Sequence, residues 1–258
     1  MTVADRMANL GTEAAFEVLA KAKALEAQGR DIVHLEIGEP DFDTPEHIVE
    51  AGTQALLQGY THYGPTAGLP ELREAIAENA NKVRGTNVSP DQVVVTPGAK
   101  PIMFFTILAL VQQGDEVLYP NPSFPVFESM IRFSGATPIP VRLLAEQGYH
   151  LDLNDLASKI TDRTKLIILN SPHNPAGCVM SKEELLALAT LIEAREDIYI
   201  LSDEIYKDII YQDQHYSIAS LPGLLDRTII LDGFSKSYAM TGWRLGYGIM
   251  PPTLLPHV

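Results

Sequence analysis

The chain has 258 residues, 46% hydrophobic and 20% charged, the composition of an ordinary globular protein with a sizeable core. With 33 acidic against 19 basic residues it carries a net charge of −14, which argues against a nucleic-acid surface. No apolar run approaches the roughly 20 residues of a membrane helix, and no secretory signal is evident at the start.

The apolar spacing near the start predicts an amphipathic helix over 14–28, followed by an extended segment through Pro40. Residues 1–45 read as an arm or the beginning of a second, smaller domain, and 46–258 as the main domain. A helix over 71–81 opens behind Pro70, whose fixed φ suits a first turn. Six short β-branched runs follow, at 92–96, 116–119, 137–141, 166–170, 198–202 and 228–231. Helices are predicted between them at 99–112, 125–133, 153–159 and 182–194. The run 103–111, interrupted by Thr106, reads as a buried helix. Ser181 with Glu184 three residues on forms a capping box for the last helix. This alternation predicts an α/β fold, a mostly parallel sheet with helices on both faces. Cys178 is the lone cysteine, so no internal disulfide forms and a reducing, cytoplasmic setting is expected.

Neither the dinucleotide G-x-G-x-x-G nor the P-loop signature is present. The stretch Thr96-Pro97-Gly98-Ala99-Lys100-Pro101 joins a strand to a helix. Gly98 allows close backbone approach, and free amides at the helix start can face an anion, although many such turns are only turns. Asn170 to Gly177 carries two prolines and a glycine after a buried strand. It reads either as a ligand-facing turn that fixes Asn174 or as turn chemistry alone. Asp203 ends the next strand in Leu201-Ser202-Asp203-Glu204-Ile205-Tyr206, and on its own reads first as a helix cap.

Gly233-Phe234-Ser235-Lys236-Ser237-Tyr238-Ala239-Met240-Thr241-Gly242-Trp243-Arg244-Leu245-Gly246-Tyr247 resembles the class I/II aminotransferases, fold-type-I enzymes that use pyridoxal 5′-phosphate (PLP). The resemblance runs in order from Ile37-Gly38-Glu39-Pro40-Asp41-Phe42, through Tyr63-Gly64-Pro65 and Gly68-Leu69-Pro70-Glu71-Leu72-Arg73, to Arg244-Leu245-Gly246, and covers nearly the whole chain. It implies exchange of an amino group between an L-amino acid and a 2-oxo acid, with Lys236 holding PLP as a Schiff base and then carrying a proton. Asp203 would keep the pyridine nitrogen protonated, and Tyr206 and Asn174 would hydrogen-bond the ring oxygen. Phe124 would stack on the ring. Arg244, the Gly98, Ala99 and Lys100 backbone, and Ser235 would hold the phosphate. Tyr63 would cross to the phosphate of a partner subunit, implying a homodimer. Gly38 and Asn174 would lie by the substrate, and Lys100 can reach the pocket and favour acidic side chains. No metal is implied.

Gly233 stands where many relatives of that family have a phosphate-binding serine, and Ser235 is a displaced substitute. The chain also stops soon after Arg244. The resemblance therefore implies a truncated or missing small C-terminal domain, along with the arginine that binds the substrate carboxylate. On that expectation the chain holds PLP but turns over poorly. A PLP lyase of the C–S type, or a PLP-binding dimerisation module without turnover, are the alternatives.

Overall fold

A computed structural model describes Val3, Ala4, Met7, Leu10, Gly11 and residues 14–212 and 214–258. Eight strands form one sheet in the order β1-β8-β7-β6-β5-β2-β3-β4. They are β1 (Val93–Thr96), β2 (Glu116–Asn121), β3 (Thr137–Leu144), β4 (His150–Leu151), β5 (Thr164–Asn170), β6 (Tyr199–Asp203), β7 (Thr228–Gly233) and β8 (Gly246–Ile249). The run β3-β2-β5-β6-β7 is parallel, as the alternation of strands and helices predicts. Strand β8 lies antiparallel between β1 and β7, and β4 pairs antiparallel with the end of β3.

Both faces of the sheet are buried, which is why its central strands read as continuous apolar runs. In β5, Leu166 and Ile168 join one core together with α4 (Lys100–Leu110) and α5 (Val126–Ser134). Ile167 and Leu169 point the other way, into a core with α6 (Leu153–Lys159) and α7 (Lys182–Leu191). A third cluster packs Ile76, Ala77 and Ala80 of α3 (Pro70–Arg84) on Val93, Ile230 and Ile249. The alternating side-chain direction along a strand produces this two-sided division.

Local signals place several boundaries correctly. Pro70 is the first residue of α3, α6 spans 153–159, and Ser181 and Glu184 form both halves of the capping box. Pro138 and Pro140 lie on the outer side of β3. Thr137 donates its amide to Asp115 on the β2 side, so the alternate positions face the edge, where missing donors discourage further pairing.

Three elements depart from the sequence reading. Helix α2 (Glu46–Leu57) was not predicted: Pro45 precedes it without a side-chain cap, and none of its residues is buried. Strand β8 reads Gly-Tyr-Gly-Ile, a turn-like pattern that holds as a strand only because two neighbours pair with it. Strand β4 has two residues, too few for any period. Helices α4 and α7 also end earlier than predicted, at Leu110 and Leu191. Helix α1 (Ala14–Glu26) precedes an irregular segment through Pro40, as expected. Among the described residues no helix is long and apolar enough to cross a membrane.

Candidate active site

The C-terminal ends of parallel strands expose the loops that follow them, and in open α/β sheets ligands bind there. Asn170 at the end of β5 is buried and donates from Nδ2 to the carbonyls of Pro172 and Asp203, each at 3.2 Å. Its Oδ1 accepts the Asn174 amide at 2.7 Å. One side chain thus ties two strand ends and fixes the turn carrying Asn174. Asn174 Nδ2 in turn donates to the Tyr206 hydroxyl at 3.1 Å.

Asp203 does not cap a helix, since only turns follow it. Its carboxylate is buried and accepts the Ile205 amide at 3.2 Å. Burial pushes its pKa up to about 7, with the Asp232 and Glu204 charges adding to the rise. Burial also raises the Tyr206 hydroxyl.

Lys236 follows β7 and is half-buried. Its Nζ donates to the Gly38 carbonyl at 2.5 Å and lies 5.8 Å from the centre of the Tyr206 ring. Burial lowers the Lys236 pKa and the nearby Lys100 charge lowers it further, against an opposing pull from Glu39. The extended segment before α2 is pinned across this turn. Thr44 Oγ1 donates to the Ala239 carbonyl at 2.6 Å and accepts from Trp243 Nε1 at 3.0 Å, while Thr241 donates to Glu39 at 3.1 Å. A Cβ at Gly52 of α2 would stand 2.8 Å from the Trp243 ring, so only glycine lets the helix rest there. A crevice of about 280 Å³ opens between Glu39–Thr44 and Ala239–Trp243.

On the other side, Gly98 has φ +85, and a Cβ there would fall inside the Arg244 guanidinium. Arg244, itself left-handed at φ 56, is also held by donating from Nη1 to the Thr241 carbonyl at 2.8 Å. A Cβ at Gly246 would collide with the Ala99 amide, so β8 and the start of α4 meet backbone to backbone. Lys100 Nζ lies 5.3 Å from the Phe124 ring centre, and Phe124 packs edge-on against Phe127.

A family profile described as aminotransferase class I and II matches residues 30–258. The chain belongs to that family. It is 44% identical over 251 residues to a probable aspartate/prephenate aminotransferase of Aquifex aeolicus, covering 96% of this chain and 64% of that protein. An arginine–pyruvate transaminase of Pseudomonas aeruginosa is 40% identical, over 95% of this chain and 62% of that one. The solved aspartate aminotransferase of Thermus thermophilus with maleate superposes with a TM-score of 0.96 at 41% identity, covering all of this chain and 66% of that one. The chain therefore spans a little under two thirds of these relatives' length.

Within this aminotransferase fold, the strand ends gather Asn174, Asp203, Tyr206 and Lys236 around one opening, with Gly38 beside Lys236. Gly98, Ala99, Lys100 and Arg244 form a cationic corner next to it. Ser235 accepts the Met240 amide on its carbonyl at 3.1 Å. Tyr63 is fully exposed and joins none of these groups within its own chain. The sequence reading missed the Thr44–Trp243 pin and a buried ionic cluster centred on Arg84, Glu204 and Asp232. The one available signal was Asp232, a charge inside the apolar run of β7.

Proposed function

We propose that the chain binds pyridoxal 5′-phosphate and serves amino-group exchange between an L-amino acid and a 2-oxo acid. The observation that carries this reading is Asp203, a buried carboxylate with a backbone amide as partner, at an opening shared with a lysine of lowered pKa. Such a carboxylate suits a protonated ring nitrogen, which restores its charge partner. Bound PLP supplies an electron-poor ring that takes up the electron pair of the substrate α-carbon.

The remaining work falls to the chain. Lys236 Nζ would hold the cofactor and carry the α-proton; its lowered pKa keeps more of it neutral and nucleophilic. Asn174 donates to the Tyr206 oxygen, which leaves the phenolic O–H available to donate, and both residues would hydrogen-bond the cofactor's ring oxygen. Arg244, which packs against Gly98, and the amides of Gly98, Ala99 and Lys100 would hold the phosphate together with Ser235, and Phe124 would stack on the ring. Lys100, exposed with its Nζ 5.3 Å from the Phe124 ring centre, would favour substrates with an acidic side chain. Tyr63, exposed here, reaches the site of a second copy in a homodimer. Cys178, half-buried with Sγ 3.0 Å from the Tyr149 carbonyl, fits a reducing cytoplasm.

Borohydride reduction of the PLP-loaded protein, followed by peptide mapping, tests the assignment. A pyridoxyl group on Lys236, and loss of the label in Lys236→Ala, is the expected result; a label on Lys100 or any other lysine overturns it.

A further inference from the structure

Behind the candidate site lies a second layer of charges that the chemistry above does not use. Arg84, the last residue of α3, is wholly buried. Its Nε meets Glu204 Oε2 at 2.6 Å and its Nη2 meets Asp232. Lys207 Nζ reaches Asp232 at 3.0 Å, and the Tyr247 hydroxyl donates to Asp232 at 2.8 Å. Glu204 also accepts from the Ser202 and Ser217 hydroxyls at 2.9 and 2.7 Å and contacts His215 Nε2 at 3.1 Å. Burial opposes ionisation of Glu204, yet the Arg84 and His215 charges hold its carboxyl far below the usual range.

The placement of these charges follows the site residue by residue. Glu204 comes directly after Asp203, and Lys207 directly after Tyr206. Asp232 stands four residues before Lys236. After β6, Asp203 and Tyr206 serve the opening, while the residue that follows each, Glu204 and Lys207, joins the layer behind it. Further hydrogen bonds lock the same junctions: the Glu204 amide donates to the Leu231 carbonyl at 2.9 Å, and the Asp232 side chain accepts the Gly233 amide on Oδ1 at 2.6 Å.

We propose that Arg84 is a positioning residue, whose guanidinium clamps Glu204 to Asp232 and thereby sets the spacing of Asp203, Tyr206 and Lys236. The inference rests on the PLP reading of the site. Stability alone does not account for the arrangement, because a buried ion cluster stabilises no better than apolar residues of the same volume. What charges in fixed hydrogen-bond geometry add is one defined separation between two strand ends. Arg84 also balances the charges of Glu204 and Asp232, the two carboxylates that flank Asp203 and raise its pKa.

Replacing Arg84 alone strands two buried carboxylates and threatens the fold itself. The decisive variant is therefore the double substitution Arg84→Met with Glu204→Gln. It removes one charge of each sign and leaves Asp232 paired with Lys207. PLP titration followed by absorbance gives the affinity and the pH midpoint of the lysine-bound cofactor, and a thermal melt of the same sample monitors the fold. The expected result is a folded double variant with PLP affinity reduced roughly tenfold or more and a displaced midpoint, since small misplacements at a distance are costly in a preorganised site. Arg84→Lys, which keeps the charge but not the two-pronged contact, falls between variant and parent. A folded double variant with the parent's affinity and midpoint overturns the inference. A label on the parent away from Lys236 overturns the site assignment and this inference with it, whereas a Lys236 label with an unchanged double variant overturns the inference alone.

Discussion

Asp203 sets chemistry against stability in a single side chain. Its pKa in the folded protein, about 7, stands above that of an ordinary carboxylate because burial disfavours the charge. The native state then holds the proton more tightly than the unfolded chain does. The resulting stability is fully present below the ordinary carboxylate range and is lost as pH rises through about 7. An asparagine mimics the protonated form and removes this dependence. The Asp203→Asn protein without PLP should therefore melt near the parent at about pH 3 and increasingly above it as pH rises to about 7 and beyond. An unchanging difference between the two melts contradicts the raised pKa. In the PLP-loaded protein the same substitution should reduce amino-group exchange more than PLP affinity, because the charge is needed for electron uptake. Gly98 poses a second residue-scale question. Alanine there has to adopt a left-handed φ, at about 1–2 kcal/mol, and displace the Arg244 guanidinium. Gly98→Ala should weaken binding of both PLP and inorganic phosphate about tenfold or more, equivalent to 1.4 kcal/mol, as measured by titration.

Helix α7 shows how far local chemistry alone can set an element. Ser181 Oγ accepts the Glu184 amide at 3.1 Å, and Glu184 returns the bond to the Ser181 amide at 2.8 Å. The same Glu184 meets His150 of β4 at 2.8 Å, so the cap also fastens the sheet edge. Ser181→Ala should cost about 1 kcal/mol in denaturant unfolding and leave PLP affinity unchanged, because the helix buries Leu185 and Leu188 on the face away from α4. A change in affinity would mean that the cap reaches the site. Helix α3 opens on Pro70 as expected but runs to Arg84, three residues past the expected end, where Gly85 closes it in a left-handed conformation. Nothing along α3 announced that Arg84 turns inward, since a basic residue in a last turn ordinarily serves the helix dipole at the surface.

At the scale of the molecule, α2 and the segment after it leave a run of apolar side chains uncovered. Val49, Leu56, Leu57, Tyr60 and Tyr63 are all exposed, an apolar stretch rather than scattered single residues. A second copy of the chain is the proposed cover, consistent with Tyr63 reaching a partner's site. Leu57→Glu, at a position 75% exposed here, should leave the fold intact and shift sedimentation from dimer to monomer. A parent that sediments as a monomer at every concentration overturns the dimer.

The sequence by itself determined the α/β class, six of the seven described α-helices within a few residues, six of the eight described strands, and the loops after β5, β6 and β7 that hold Asn174, Asp203 and Lys236. These are local matters: hydrophobic period, proline and glycine placement, and side-chain caps act within a turn or two of chain. The tertiary structure alone decided the rest. Strand β8 exists because Gly246 permits backbone contact with Ala99 while β1 and β7 supply ladders on both sides. Arg244 meets Gly98, Lys236 meets Gly38, and Arg84 joins Glu204 to Asp232 across separations of more than 100 residues. Such pairings are set by the order of strands in the sheet, a property of the packed whole that no window of sequence contains.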